Sequence, residues 1–192
     1  MRLFIAINLT TEVQQSIEAV VAPVRTQVPS IRWVPCDRLH VTVKFLGEQE
    51  PASVAGIRST LTNVARPAHL GLCRIAEFGV FPNFRSPRVV WMGVQTPGLV
   101  EFAAELDNAL ATIGVPREGR GFAPHLTLGR LAKPLWPREL DALRRWGSAV
   151  GAVAEQEIPS VDLMHSEIRP GGPAYSILSR APLGGAPSSS TR

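Results

Sequence analysis

The sequence predicts an α+β protein of two similar lobes, each an antiparallel sheet backed by helices, with a central cleft between them. Three observations predict it. A four-residue pattern occurs twice, as His40-Val41-Thr42-Val43 and His125-Leu126-Thr127-Leu128, 85 residues apart in a chain of 192. Alternating apolar stretches are interleaved with amphipathic ones around both copies. No Pro/Gly-rich linker divides the chain before its polar end, so both copies belong to one domain, placed at residues 1–183.

Met1 to Asn8 reads as a first strand, its apolar run too short for a secretory signal. Thr10 or Thr11 then caps a helix in which Val13, Ile17, Val20, Val21 and Val24 recur at helical spacing, with Pro23 a point of kinking or shortening. Ile31 to Val34 leads through a Pro35-Cys36-Asp37 turn into the first tetrad strand, Leu39 to Leu46, which Gly47 ends. Val54, Ile57, Leu61 and Val64 mark a second helix, closed by Pro67. A strand at His69 to Ile75, a turn at Phe81-Pro82-Asn83 and a strand at Arg88 to Val94 make a hairpin. Leu99, Phe102, Ala103, Leu106, Leu110 and Ile113 mark a third helix ended by Gly114, and the second tetrad strand follows after a loop. Pro134 to Trp146 is helical by its Leu140, Leu143 and Trp146, and strands at Val161 to Ile168 and Tyr175 to Arg180 flank a Gly171-Gly172-Pro173 turn. From Gly184 to Arg192 the apolar content is too low to pack, and this tail is expected to be disordered.

Composition narrows the class. Hydrophobic residues make up 45% and charged residues 19%, as in a soluble globular protein, and no apolar run approaches the ~20 residues of a membrane helix. A cytoplasmic protein is expected. Cys36 and Cys73 form no C-x-x-C unit and read as reduced thiols. The net charge of +4 favours polyanionic partners, and the cations are almost all arginine, with lysine only at Lys44 and Lys133. Arginine suits bidentate contact with phosphate.

In a strand, residues two apart share a face, about 7 Å apart along the chain. Each tetrad thus presents an imidazole and a hydroxyl together, while Val41, Val43, Leu126 and Leu128 face the core. Histidine accepts or donates a proton near neutral pH, and a threonine hydroxyl can hold a phosphate oxygen, so two such dyads suit cleavage of a phosphoester. Neither tetrad has a nearby carboxylate or cysteine at ligand spacing, and no metal or other cofactor is expected.

The segments Trp33-Val34, Leu39 to Glu48, Gly79-Val80-Phe81-Pro82, Pro87-Arg88-Val89-Val90-Trp91 and Phe122 to Arg130 resemble the RNA 2′,3′-cyclic phosphodiesterases, also called 2′-5′ RNA ligases, of the two-histidine phosphoesterase superfamily. Ser166 and Tyr175 also fit that pattern, whereas Cys36-Asp37-Arg38 and the polar tail depart from it. The resemblance implies a bilobal, pseudo-symmetric fold and a metal-independent hydrolase that opens a terminal 2′,3′-cyclic phosphate of RNA to a 2′-phosphate. Some members also form 2′-5′ links in reverse, and the family suggests a monomer. The resemblance assigns His125 as general base and His40 as general acid, an order that pseudo-symmetry leaves open to exchange. It gives Thr42, Thr127 and Arg130 as phosphate-binding residues.

Strict alternation sets Arg130 on the face opposite His125 and Thr127, so either a bulge or strand end re-aims it or its role is structural. The same parity places Lys44 with His40 and Phe45 with the core, which excludes Phe45 as a base-stacking residue. Trp33, Phe81, Trp91 and Phe122 are the other aromatic candidates for stacking, and His69 and His165 read as structural or surface residues. Two further readings stand beside the RNA-end hydrolase. One is a phosphodiesterase for a small cyclic nucleotide phosphate or a 2′-5′ oligonucleotide; the other is a noncatalytic module that binds RNA ends.

Overall fold

Apolar side chains at alternate positions make Arg2–Asn8 the first strand, β1, with Leu3, Ile5 and Ile7 turned to one side and Phe4 and Ala6 to the other. The computed structural model describes residues 1–170 and 172–184, so Gly171 of the expected turn, and the expected tail after Gly184, lie outside the described residues. Thr10 caps α1 (Thr11–Gln27), its hydroxyl accepting the Val13 amide at 3.4 Å, and the helix continues through Pro23. After β2 (Arg32–Trp33) and a short 3-10 turn at Cys36–Arg38 come β3 (His40–Glu48) and α2 (Val54–Ala65). Then follow β4 (Cys73–Phe81), β5 (Val89–Gln95), α3 (Leu99–Ala111) and β6 (His125–Arg130). The chain continues with α4 (Pro137–Ala149), β7 (Ala152–Gln156), β8 (Ser160–Arg169) and β9 (Gly172–Pro182).

The helices and antiparallel strands form the expected α+β fold, but in place of two separate sheets there is one. Its order is β7-β4-β5-β6-β3-β1-β8-β9, with β2 paired to β6. The physical reason is at the middle, where the two tetrad strands pair with each other through Val41 and Leu126. Along that path four strands lie on either side of the seam, and β2 adds a fifth beside β6. Two other elements differ from expectation. The strand expected at His69 to Ile75 lies later, at Cys73–Phe81, and β7 is an edge strand without a marked apolar alternation.

Ile17 and Val21 of α1, Ile57 and Leu61 of α2, Leu106 and Leu110 of α3, and Leu143 of α4 join one apolar cluster. With them are Ile5, Val41, Met92, Leu126 and Leu163 from one face of the sheet. Burial of this surface, worth about 25 cal/mol per Å2, is the main force holding helices to sheet. The opposite face is open apart from a small cluster of Phe4, Ala6 and Met164 with Tyr175.

Candidate active site

The seam assembles the site. Val41 and Leu126 are both fully buried against the helices. In an antiparallel pair their neighbours must therefore face the other way, His40 beside Thr127 and Thr42 beside His125. The structure thus brings His40, Thr42, His125 and Thr127 together on the open face, where all four are half-buried. The hydroxyls of both threonines have no protein hydrogen-bond partner among the described residues.

The two halves treat their histidines alike. The Nδ1–H of His40 donates to the Arg38 carbonyl at 2.8 Å, and that of His125 donates to the Ala123 carbonyl at 2.8 Å. A carbonyl only accepts, so each ring carries its proton on Nδ1 and leaves Nε2 free for proton transfer. Aromatic rings brace both: Phe4 and Tyr175 lie 4.9 and 5.0 Å from the His40 ring, and Phe81 and Trp91 lie 5.2 and 6.4 Å from that of His125. The environments differ in charge. Burial lowers the pKa of His40 below the ordinary value; the bond to Arg38 acts the other way, and the positive charge of Arg130 adds to the lowering.

Arg130 reaches the site through a bulge. Against β5, Val90 pairs with Gly129 and Trp91 with Thr127, so Leu128 has no partner of its own. The extra residue reverses the alternation. Leu128 and Gly129 are both buried, and a side chain at Gly129 would run into Ile31 of the core. Arg130 then turns to the open face. The first tetrad repeats the device: against β1, Ile5 pairs with Lys44 and Ala6 with Thr42, which leaves Val43 unpaired.

That second bulge corrects two expectations. Lys44 does not share the His40 face. It is buried on the helix side, where its ammonium bonds Asp107 of α3 and the Pro116 carbonyl. Phe45, assigned to the core by parity, is instead 57% exposed on the open face, its ring 6.4 Å from that of Phe4. It occupies the position in the first half that Arg130 occupies in the second, three residues beyond the threonine. The signal was present in the sequence, since the two tetrads align Phe45 with Arg130, but it required knowing that both strands bulge.

The remaining aromatic candidates separate clearly. Phe81 and Trp91 stack on each other, centroids 4.9 Å apart, beside His125. Trp33 belongs to the helix side, its Nε1 donating to the Val28 carbonyl at 3.1 Å, and Phe122 packs on the core. His165 lies 3.7 Å from Glu167, and neither it nor His69 joins the tetrads. Among the described residues no three His, Cys, Asp or Glu side chains gather as a metal-ligand set, and no helix is long and apolar enough to cross a membrane. Two concavities lie elsewhere. One of about 460 Å3 includes Met1, Glu48 and Ile113, and another of about 520 Å3 includes Leu72 and Pro97. The paired histidines and threonines lie on an open sheet face, away from both concavities.

Residues 11–164 match the model of the 2′-5′ RNA ligase superfamily. The chain belongs to that superfamily. It is 31% identical over 180 residues to the RNA 2′,3′-cyclic phosphodiesterase of Archaeoglobus fulgidus, covering 93% of this chain and 98% of the relative. The RNA 2′,3′-cyclic phosphodiesterase of Methanocaldococcus jannaschii is 31% identical over 179 residues, with the same coverage of 93% and 98%. The corresponding protein of Geobacillus stearothermophilus is longer; this chain spans 59% of its length at 29% identity. Among solved structures, TT0787 of Thermus thermophilus superposes with a TM-score of 0.80 at 28% identity, covering 97% of this chain and 100% of that one. E. coli LigT in its apo form gives 0.74 at 26% identity, covering 95% and 97%.

Proposed function

We propose that this protein hydrolyses the 2′,3′-cyclic phosphate at the end of an RNA to a 2′-phosphate, without a metal, using His40 and His125 as an acid–base pair. The observation that carries the reading is the seam, where two histidine–threonine dyads, one from each half, meet with both Nε2 atoms available. The superfamily membership and the names of the relatives point to the same reaction.

The chemistry follows from the geometry. The cyclic phosphate sits between the dyads, its nonbridging oxygens held by the Thr42 and Thr127 hydroxyls, while the Arg130 guanidinium at the edge of the site attracts the anionic RNA end. The Nε2 of His125 takes a proton from water as its oxygen attacks phosphorus, the bond from phosphorus to the 3′ oxygen breaks, and the Nε2–H of His40 protonates that oxygen. A 2′-phosphate and a 3′-hydroxyl result, and exchange with solvent resets both imidazoles. His40 is disposed to be neutral in the free protein, since burial and Arg130 lower its pKa. An anionic substrate offsets Arg130 and favours the imidazolium, so the acid is charged when substrate is bound. If the 5′-hydroxyl of a second RNA replaces water, the same step makes a 2′-5′ link.

Phe45 is placed to stack on the terminal base, a contact worth about 1–3 kcal/mol per base. The reading further has the protein act as a cytoplasmic monomer, which light scattering of the purified chain checks for its oligomeric state. The testing experiment is turnover of a short RNA with a cyclic phosphate end by the wild type, His40→Ala and His125→Ala. Each substitution should lower kcat by roughly 10²–10⁴-fold with folding retained. Full activity in either variant would remove that histidine from the mechanism.

A further inference from the structure

Arg32 has no part in the chemistry above, yet β2 sets it directly opposite Arg130. The adjoining pair, Trp33 with Gly129, faces the helices, as the bond from Trp33 to Val28 and the closeness of Gly129 to Ile31 show. Arg32 and Arg130 therefore project together from the open face, and both are exposed. Among the described residues carboxylates pair with Arg25, Arg74, Arg144, Arg169 and Arg180, but not with Arg32 or Arg130. Two like charges facing each other across a ladder repel, and an anion between them turns that repulsion into attraction.

We propose that Arg32 and Arg130 form a second anion site that takes the phosphate on the 5′ side of the terminal nucleoside. The inference rests on the RNA-end reading above and specifies what part of the RNA is recognised. Its geometry is that of β6. With the bulge at Leu128 absorbed, Arg130 lies two strand steps from Thr127, roughly 7 Å, and Arg32 lies beside it. The pair thus stands one phosphate away from the reacting one, at the edge of the site. The guanidinium forks match phosphate oxygens in a way that a single flexible ammonium would not. Charge also gives the open face a direction. The cationic end is on β6 and β2, whereas the equivalent position on β3 is the exposed ring of Phe45. A strand binding with its base toward Phe45 and its backbone toward the arginines would enter in one orientation.

The test compares kcat/KM on a nucleoside 2′,3′-cyclic phosphate, the same compound carrying a 5′-phosphate, and a dinucleotide ending in a 2′,3′-cyclic phosphate. The wild type should prefer the dinucleotide over the bare nucleoside by about tenfold or more. In Arg32→Ala that ratio should collapse toward one, mainly through KM, while Arg32→Lys should keep part of it. The 5′-phosphorylated nucleoside separates a terminal phosphate from the linking diester: a preference equal to the dinucleotide's means that phosphate alone is recognised. Equal losses of Arg32→Ala on all three substrates, or an unaltered ratio, would overturn the proposal. If the wild type turns over none of them, the RNA-end reading fails instead. Calorimetric binding of a 2′-phosphorylated dinucleotide to wild type and Arg32→Ala then still tests the arginine pair, with unchanged affinity refuting it.

Discussion

Lys44→Met tests the bulge that orders the first half of the site. The wild-type Lys44 side chain is 4% exposed, and its ammonium bonds Asp107, whose side chain is 20% exposed, and the Pro116 carbonyl at 2.9 Å. Asp107 also accepts the Glu118 amide at 3.0 Å. Burial opposes ionisation of Asp107, but these hydrogen bonds outweigh it and hold its carboxyl below the usual range. Methionine keeps the packing of the lysine stem while removing the charge. Breaking a buried pair costs about 3–5 kcal/mol, and the solvent contact of Asp107 places this one at the lower limit, about 3 kcal/mol. At about 2–4 °C per kcal/mol for a chain of this size, Tm should fall by roughly 6–12 °C. Thermal unfolding by circular dichroism measures it, with KM for a cyclic-phosphate RNA at 25 °C measured in parallel and expected to change little. An unchanged Tm with a raised KM would instead put the ammonium on the open face with His40.

Three other outcomes are expected. By NMR titration His40 should have a midpoint below the ordinary value of about 6.5, and Arg130→Gln should raise it. Because its folded pKa is the lower one, His40 contributes stability that is present above the unfolded value and lost as pH falls through the folded one; denaturant midpoints in that window should show a smaller loss in His40→Gln. Gly79→Ala puts a methyl into the ring of Trp91, which braces His125, so chemical denaturation should show a loss of about 1–3 kcal/mol together with a lower kcat. Phe45→Ala, at an exposed position, should leave Tm nearly unaltered and raise KM by roughly tenfold or more, read from steady-state kinetics on an RNA end.

The four central residues were legible in the sequence because a period of two places His40 with Thr42 and His125 with Thr127 up to the point where each strand bulges. Past that point the same rule fails. Val43 and Leu128 are ordinary apolar strand residues, and nothing local marks either as the extra one, so Lys44, Phe45 and Arg130 all change sides together. The union of the halves into one sheet was equally hidden, since it depends on a long-range pairing at Val41 and Leu126. In β4 the positive φ of 64° at Glu77 and the register shift beside it interrupt the alternation, which explains why the expected strand stopped at Ile75. Along β7 the side chains of Ala152, Val153 and Ala154 are too small and too uniform to declare a face.

Metal-free hydrolysis by the paired histidines is tested most directly by the product formed from a short RNA ending in a 2′,3′-cyclic phosphate, incubated with the purified protein in a chelator and analysed for the phosphate isomer. The expected product is a 2′-phosphate with a free 3′-hydroxyl. Absence of turnover by well-folded protein, or a 3′-phosphate, would contradict it.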